Sequence, residues 1–230
     1  MSFLKKIFHK KKQEQNRVAD DSTVIHIHPE DSHKIWLNVQ GKNNVINIGK
    51  LSPKIAGDIH ISVYGDNCSV NIGDGFFTCY GVHILLGLNH ENYGKITNSH
   101  LKIGNNTSIE GARIITFNSH NTISVGDECM LSENIMLYNT DSHPIYDKST
   151  GKIINYVKDM TIGRHCWLGM NVKMLKNTAL PDNTIVGAQA VITKSFTQPN
   201  CIIAGMPARV VKQNVEWKRS DIRWVKGEEC

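Results

Sequence analysis

No apolar run in this chain approaches the ~20 residues that a membrane-spanning helix needs. No secretory signal is expected either, because Met1 to Lys12 holds no continuous apolar stretch ahead of a cleavage site. The six cysteines, Cys68, Cys79, Cys129, Cys166, Cys201 and Cys230, show no paired C-x-x-C spacing. Reduced thiols in a cytoplasmic protein are therefore expected rather than a disulfide framework. The body of the chain also lacks an excess of either charge. Lys5, Lys6, Lys10, Lys11, Lys12 and Arg17 face only Glu14 in the first 17 residues, which leaves 20 basic and 20 acidic residues in the remainder. The net charge of +5 thus belongs to an N-terminal arm, and nothing in the body suggests a nucleic-acid platform.

What the chain does have is a beat of six. From Ile162 the sequence steps through Leu168, Met174, Leu180, Val186, Ile192, Gln198, Ala204 and Val210, and eight of these nine positions are apolar. A period of six fits neither an α-helix nor an ordinary strand and is the signature of a parallel β-helix built from hexapeptide turns. Two further registers keep the same time. Cys166, Val172, Thr178, Thr184 and Ala190 are small or β-branched and suit a narrow interior. His165, Asn171, Asn177, Asn183 and Gln189 precede them, and a column rich in Asn marks corners with left-handed backbone torsions.

The 230 residues divide into an arm (1–21), a parallel β-helix domain (22–210) and a C-terminal capping segment (211–230). The arm is open to two readings: a short amphipathic helix using Phe3, Leu4, Ile7 and Phe8 for weak peripheral membrane contact through residues 1–12, or a solvated tail. The first reading would put the protein at the inner face of the membrane. GKNNVINIG (Gly41–Gly49), GDNCSVNIG (Gly65–Gly73) and NSHNTISVG (Asn118–Gly126) each set a polar corner before a short apolar strand, and read as earlier coils. The rhythm breaks over residues 144–160, an insertion that must leave the coil as a loop. The tail has helical spacing of Val215, Trp217, Ile222, Trp224 and Val225, so a short C-terminal helix capping the last coil is expected.

The segments NTDSHPIYD (Asn139–Asp147), TIGRHCWLGMNV (Thr161–Val172), IVGAQAVITKSF and PNCIIAGMPARVV resemble the left-handed β-helix acetyltransferases of the galactoside and maltose O-acetyltransferase group. The D-S-H-x-I pattern, with Trp167 following His143 by 24 positions, looks closer still to the polysialic-acid and capsular-polysaccharide O-acetyltransferases. This resemblance implies an all-β fold, a left-handed parallel β-helix of hexapeptide repeats with one extended loop. It also implies acetyl-CoA as co-substrate, no metal, and a homotrimer with active sites between neighbouring coils. The acceptor would be a sugar hydroxyl of a bacterial-type surface glycan, capsule or lipopolysaccharide.

By the same resemblance His143 is the general base, a task suited to an imidazole that titrates near neutral pH. Asp141 or Asp147 is available to orient its ring. Trp167 is placed beside the coenzyme arm or the acceptor. Gly169, Gly187, Ala188 and Ala204 are small enough for a pantetheine chain to lie along the backbone. Thr193, Lys194 and Arg209 are candidates for the nucleotide end, the two cations as partners of phosphate. An oxyanion donor is unassigned: Asn118, Asn121 and Asn139 are available, but the position that aligns most directly holds Arg113. Three other functions are weighed against direct O-acetyl transfer. An amino-sugar N-acetyltransferase would use the same donor, and a binding-only solenoid would use none. A zinc hydratase on this scaffold needs three converging histidines, for which His83, His90 and His120 are present without a clustered motif.

Overall fold

A computed structural model describes residues 16–89 and 94–220. Short strands wind around a triangular prism: from Ser108 to Ile192 each full coil lays one strand on each of three sheets, whereas the earlier coils lay strands on the first two. Among the described residues the first sheet has nine strands, including Ile35–Gln40, Ile59–Asp66, Gly81–Leu86, Gly111–Thr116, Ile135–Tyr138, Lys173–Leu175 and Val191–Ile192. The second has seven strands, among them Val45–Ile48, Ser69–Ile72, Asn121–Val125 and Met160–Ile162, and the third has six, including Trp167–Leu168 and Ile185–Val186. Among the described residues the strands of these sheets pair in parallel except at the end, where Cys201–Gly205 meets Ala208–Gln213 antiparallel, and the loop adds one antiparallel bridge between Tyr146 and Ile153. The three repeated motifs fall together on the second sheet, Val45 opposite Ser69 and Ile103 opposite Val125.

The six-beat register explains this shape residue by residue. Ile162, Leu168, Met174, Leu180, Val186 and Ile192 are all buried, as are Cys166, Val172, Thr178, Thr184 and Ala190. His165, Asn171, Asn177, Asn183 and Gln189 have φ between 54° and 62°, the left-handed region that turns the chain through each corner. Asp and Asn side chains tie successive coils at the edge between the second and third sheets: Asp74 N donates to Asn105 Oδ1 (2.9 Å) and Arg164 N to Asp182 Oδ1 (2.7 Å). Gly73 is required there, since a Cβ on it would stand 2.5 Å from Asn105 Oδ1. Burial pushes the thiols of Cys68 and Cys201 up, so these core cysteines are poor nucleophiles.

The beat fails after Ile192. Residues 193–200 form no strand, and the phase slips, so that Cys201 and Ile203 are the buried residues while Ala204 faces outward. The expected C-terminal helix is also absent from the described part of the tail. Ala208–Gln213 is a strand, and no helix follows through Ser220; residues 221–230 lie outside the described residues. Cys201–Gly205 presents an open sheet edge, and pairing it satisfies more backbone than an isolated helix would. Past this strand the tail doubles back. Trp217 is buried and stacks on His165 with ring centroids 4.3 Å apart, and its Nε1 donates to the His165 carbonyl (2.8 Å). Arg219 reaches Ser108 Oγ (2.6 Å) and the Cys129 carbonyl (2.8 Å), several coils away.

At the other end, Asn16–Val18 already pairs with Leu37–Val39 of the first sheet, so the solenoid starts inside the expected arm. The apolar residues Phe3 to Phe8 lie outside the described residues. Among the described residues no helix is long and apolar enough to cross a membrane.

Candidate active site

His143 leaves the prism at the edge where the first sheet turns into the second. An ordinary crossing of this edge is short, as between Lys173–Leu175 and Ala179–Leu180, but between Ile135–Tyr138 and Met160–Ile162 it takes residues 139–159. The departure is a tight turn. His143 N donates to the Asp141 carbonyl (2.7 Å) around Ser142, whose φ is 63°. Ser142 is held in that conformation from two sides: its N–H donates to Thr140 Oγ1 (2.9 Å), and its hydroxyl is 3.1 Å from Tyr138 Oη. The turn throws His143 outward, and its side chain is exposed beside a cavity of about 250 Å3 lined by Phe117, Asn118, Thr140, Ile153, Asn155 and Tyr156, among others.

Asn155, on the returning arm of the loop, clamps the outgoing one. Its Oδ1 accepts from Ile145 N (2.8 Å), and its Nδ2 donates to the His143 carbonyl (2.9 Å) and to Asp141 Oδ2 (2.8 Å). Asp141 Oδ2 is also 3.3 Å from Lys176 Nζ on the following coil. Neither carboxylate expected beside the imidazole bonds to it in this structure. Asp141 steadies the backbone network around His143. Asp147 caps its own turn through Ser149 and Thr150, and these bonds, the Ser149 hydroxyl first, hold its carboxyl down at about 2. Asn155 carries no motif signal, because its role exists only once the loop closes on itself.

Of the three asparagines available for the oxyanion, Asn118 lines the His143 cavity. The amides of Asn121 and Asn139 are spent inside the coil, on Ser99 Oγ (3.0 Å) and on the Lys158 carbonyl (3.0 Å).

The remaining candidates fall into two groups. Gly169, Gly187 and Ala204 form one column at the end of the third sheet: Gly169 N donates to the Val186 carbonyl (2.8 Å) and Gly187 N to the Ile203 carbonyl (2.8 Å). A Cβ on Gly169 would stand 2.8 Å from Ala188 N, and one on Gly187 would stand 3.1 Å from the Ala204 Cβ. Arg209 pairs opposite Ala204, and Trp167, 37% exposed, lies on the same sheet with its ring 6.0 Å from that of Trp217. Thr193 and Lys194 instead follow Val191–Ile192 on the first sheet, which places them on the His143 edge. Both are exposed, and the Lys194 ammonium sits 5.4 Å from the Phe196 ring centroid. A single chain therefore keeps His143 and Trp167 on different faces of the prism.

Of the three histidines considered for zinc, two lie among the described residues, and these two are on different parts of the coil. His83 lies on the first sheet, His120 sits at a corner 3.3 Å from Asn98 Nδ2, and His90 lies outside the described residues. Among the described residues no three His, Cys, Asp or Glu side chains are placed to hold a metal.

A hexapeptide coil from which a long loop presents a histidine at a corner defines a class, and comparison with known proteins agrees with it. No family model matches the chain. The chain is 39% identical over 190 residues to the polysialic acid O-acetyltransferase of Neisseria meningitidis, covering 78% of this chain and 88% of that protein. It is 30% identical over 92 residues to the galactoside O-acetyltransferase of Escherichia coli K12, covering 40% and 44%. Among solved structures, the polysialic acid O-acetyltransferase OatWY aligns with a TM-score of 0.57 at 32% identity over 83% of this chain and 95% of that one. The polySia-specific acetyltransferase NeuO shares the fold, with a TM-score of 0.65 at 24% identity over 84% and 93%. The chain belongs to the hexapeptide-repeat O-acetyltransferases, and it is an acyltransferase. Within that family it is similar over most of its length to the polysialic acid O-acetyltransferases.

Proposed function

We propose that this protein transfers the acetyl group of acetyl-CoA to a sugar hydroxyl of an acidic surface glycan, with His143 as general base. The observation that carries the reading is the His143 turn, an exposed imidazole thrown out of a rigid coil beside a cavity, with its backbone clamped by Asn155. Neutral His143 takes the hydroxyl proton as the sugar oxygen attacks the thioester carbonyl. The tetrahedral intermediate then collapses, the carbon–sulfur bond breaks, and the imidazolium returns its proton to the departing thiolate. The products are an acetyl ester and free CoA, with no acyl-enzyme. Buried thiols such as Cys68 and Cys201 supply no competing nucleophile.

The small-residue column of Gly169, Gly187 and Ala204, with Trp167 at its head, fits an extended pantetheine arm lying on backbone. Arg209 at its foot suits a phosphate. Since this column and His143 occupy different faces of one prism, the reading assembles each site between protomers of a homotrimer. Lys194, on the His143 edge, then meets the coenzyme of the neighbouring protomer.

His143→Ala is expected to abolish acetyl transfer while leaving acetyl-CoA affinity within about twofold and thermal stability unchanged, because the side chain is exposed. A variant that keeps more than about a tenth of wild-type turnover would show that this imidazole is not the base.

A further inference from the structure

A second cavity, of about 460 Å3, lies on the opposite edge of the first sheet from His143, where the third sheet turns into the first. Its volume is within the roughly 300–1,000 Å3 of small-molecule sites. Tyr80, His83, Arg113, Glu133, Met136 and Met170 are among the residues that line it. Tyr80 and Met170 are 71% and 51% exposed, large apolar surfaces left in solvent at a concave site. Met170 directly follows Gly169, so this cavity adjoins the head of the small-residue column.

Arg113 stands on the outer face of Gly111–Thr116, in register between His83 and Met136. Ion pairs made by lysine and arginine among the described residues involve Lys34, Lys95, Arg164 and Lys176, and Arg113 takes part in none. Glu133, the one carboxylate in the lining, lies beyond ion-pair distance of it. Arg113 and His83 also line the adjoining recess of about 360 Å3 together with His60 and Ser62, and no carboxylate lines that recess. His60 stacks on His83 with centroids 4.7 Å apart, and burial, then the charge of His83, holds it below the usual imidazole range. Arg113 is therefore the permanent cation of this wall.

An unpaired guanidinium, a phenol ring and a thioether around one cavity match a particular ligand. The planar fork of donors receives a carboxylate in bidentate fashion, which a lysine ammonium does not. The ring and thioether cover the apolar face of a sugar. We infer that this cavity is an acceptor subsite for a carboxylated sugar residue, and that Arg113 binds the carboxylate. The inference rests on the acetyl-transfer reading above and adds to it the residue that selects an acidic acceptor over a neutral one.

The test uses the full-length protein with acetyl-CoA and two oligosialic acid acceptors, one with free carboxylates and one methyl-esterified. Wild type should favour the free acid in kcat/KM. Arg113→Ala should lower kcat/KM for the free acid at least about tenfold, chiefly through KM, and leave the ester within about twofold. Arg113→Lys should fall between, keeping charge but losing the fork. Folding of each variant is read from its thermal midpoint. An acid-to-ester preference that survives Arg113→Ala, or is missing from wild type, would overturn the subsite. In that case an inactive His143→Ala shows that the transfer reading still stands, whereas an active one shows that it was the transfer reading that failed.

Discussion

At the scale of single residues, the site depends on how a backbone is held as much as on which side chain it carries. Ser142 accepts a left-handed torsion so that His143 can leave the coil, and Asn155 then locks the carbonyl of His143 and the carboxylate of Asp141 together. Removing that amide frees the loop to shift the imidazole by a fraction of its own width. Displacements of about 1 Å in a reacting group cost up to roughly a hundredfold in rate. Asn155→Ala should therefore lower kcat by about tenfold to a hundredfold, with the KM for acetyl-CoA unchanged. Asp141→Ala should act through the same network, so the double variant should be no slower than the worse single one. Steady-state kinetics of the three proteins decide this. Additive losses would mean that the two residues act separately.

At the scale of elements, the C-terminal segment shows how strand edges govern this architecture. Valine and isoleucine residues flanking an exposed edge favour pairing, and Ala208–Gln213 takes up the partner position on Cys201–Gly205, carrying the strand into the first residues of the 211–230 tail expected to be helical. Trp217 then pins the returning tail to the outside of the prism by stacking on His165 and bonding to its carbonyl. Because this ring is buried, Trp217→Ala should cost roughly 3 kcal/mol in urea unfolding. It should also loosen Arg219 from Ser108, which hydrogen exchange in the coils around residues 106–129 would report. No change in the unfolding midpoint would mean that the tail merely rests on the coil.

At the scale of the whole molecule, a prism that separates the proposed base, His143, from its small-residue column invites assembly. A closed ring of three identical protomers lets one chain's histidine edge meet the next chain's third sheet. The proposal makes two demands that sedimentation and mixing can check. The protein should sediment as a trimer. Protomers carrying His143→Ala should also rescue protomers whose column is blocked by Gly187→Trp. Each variant alone is inactive, yet random mixing should restore roughly a quarter of the sites. Failure of the mixture to regain activity, with trimers intact, would place the whole site within one chain.

Much of this molecule was legible before any coordinates. The six-residue beat is a local property: each hexad needs one core side chain, one small interior residue and one residue that tolerates positive φ. Ile162 to Ile192, Cys166 to Ala190 and His165 to Gln189 satisfy those demands from their own identities. The break at the loop and the histidine beside it were readable for the same reason. What only the tertiary structure decided is which residues meet across coils. Met130 pairs with Trp167 over 37 positions, whereas Trp167 pairs with Ile185 over 18, because the loop is counted in one step and not in the other. Lys176 reaching Asp141, Asn155 clamping His143, Arg113 left without a partner and the tail returning to Ser108 all depend on that stacking. Periodicity sets the torsions and burial of each residue from its near neighbours. Contacts between coils depend on the summed lengths of every loop in between, and a local pattern does not carry that sum.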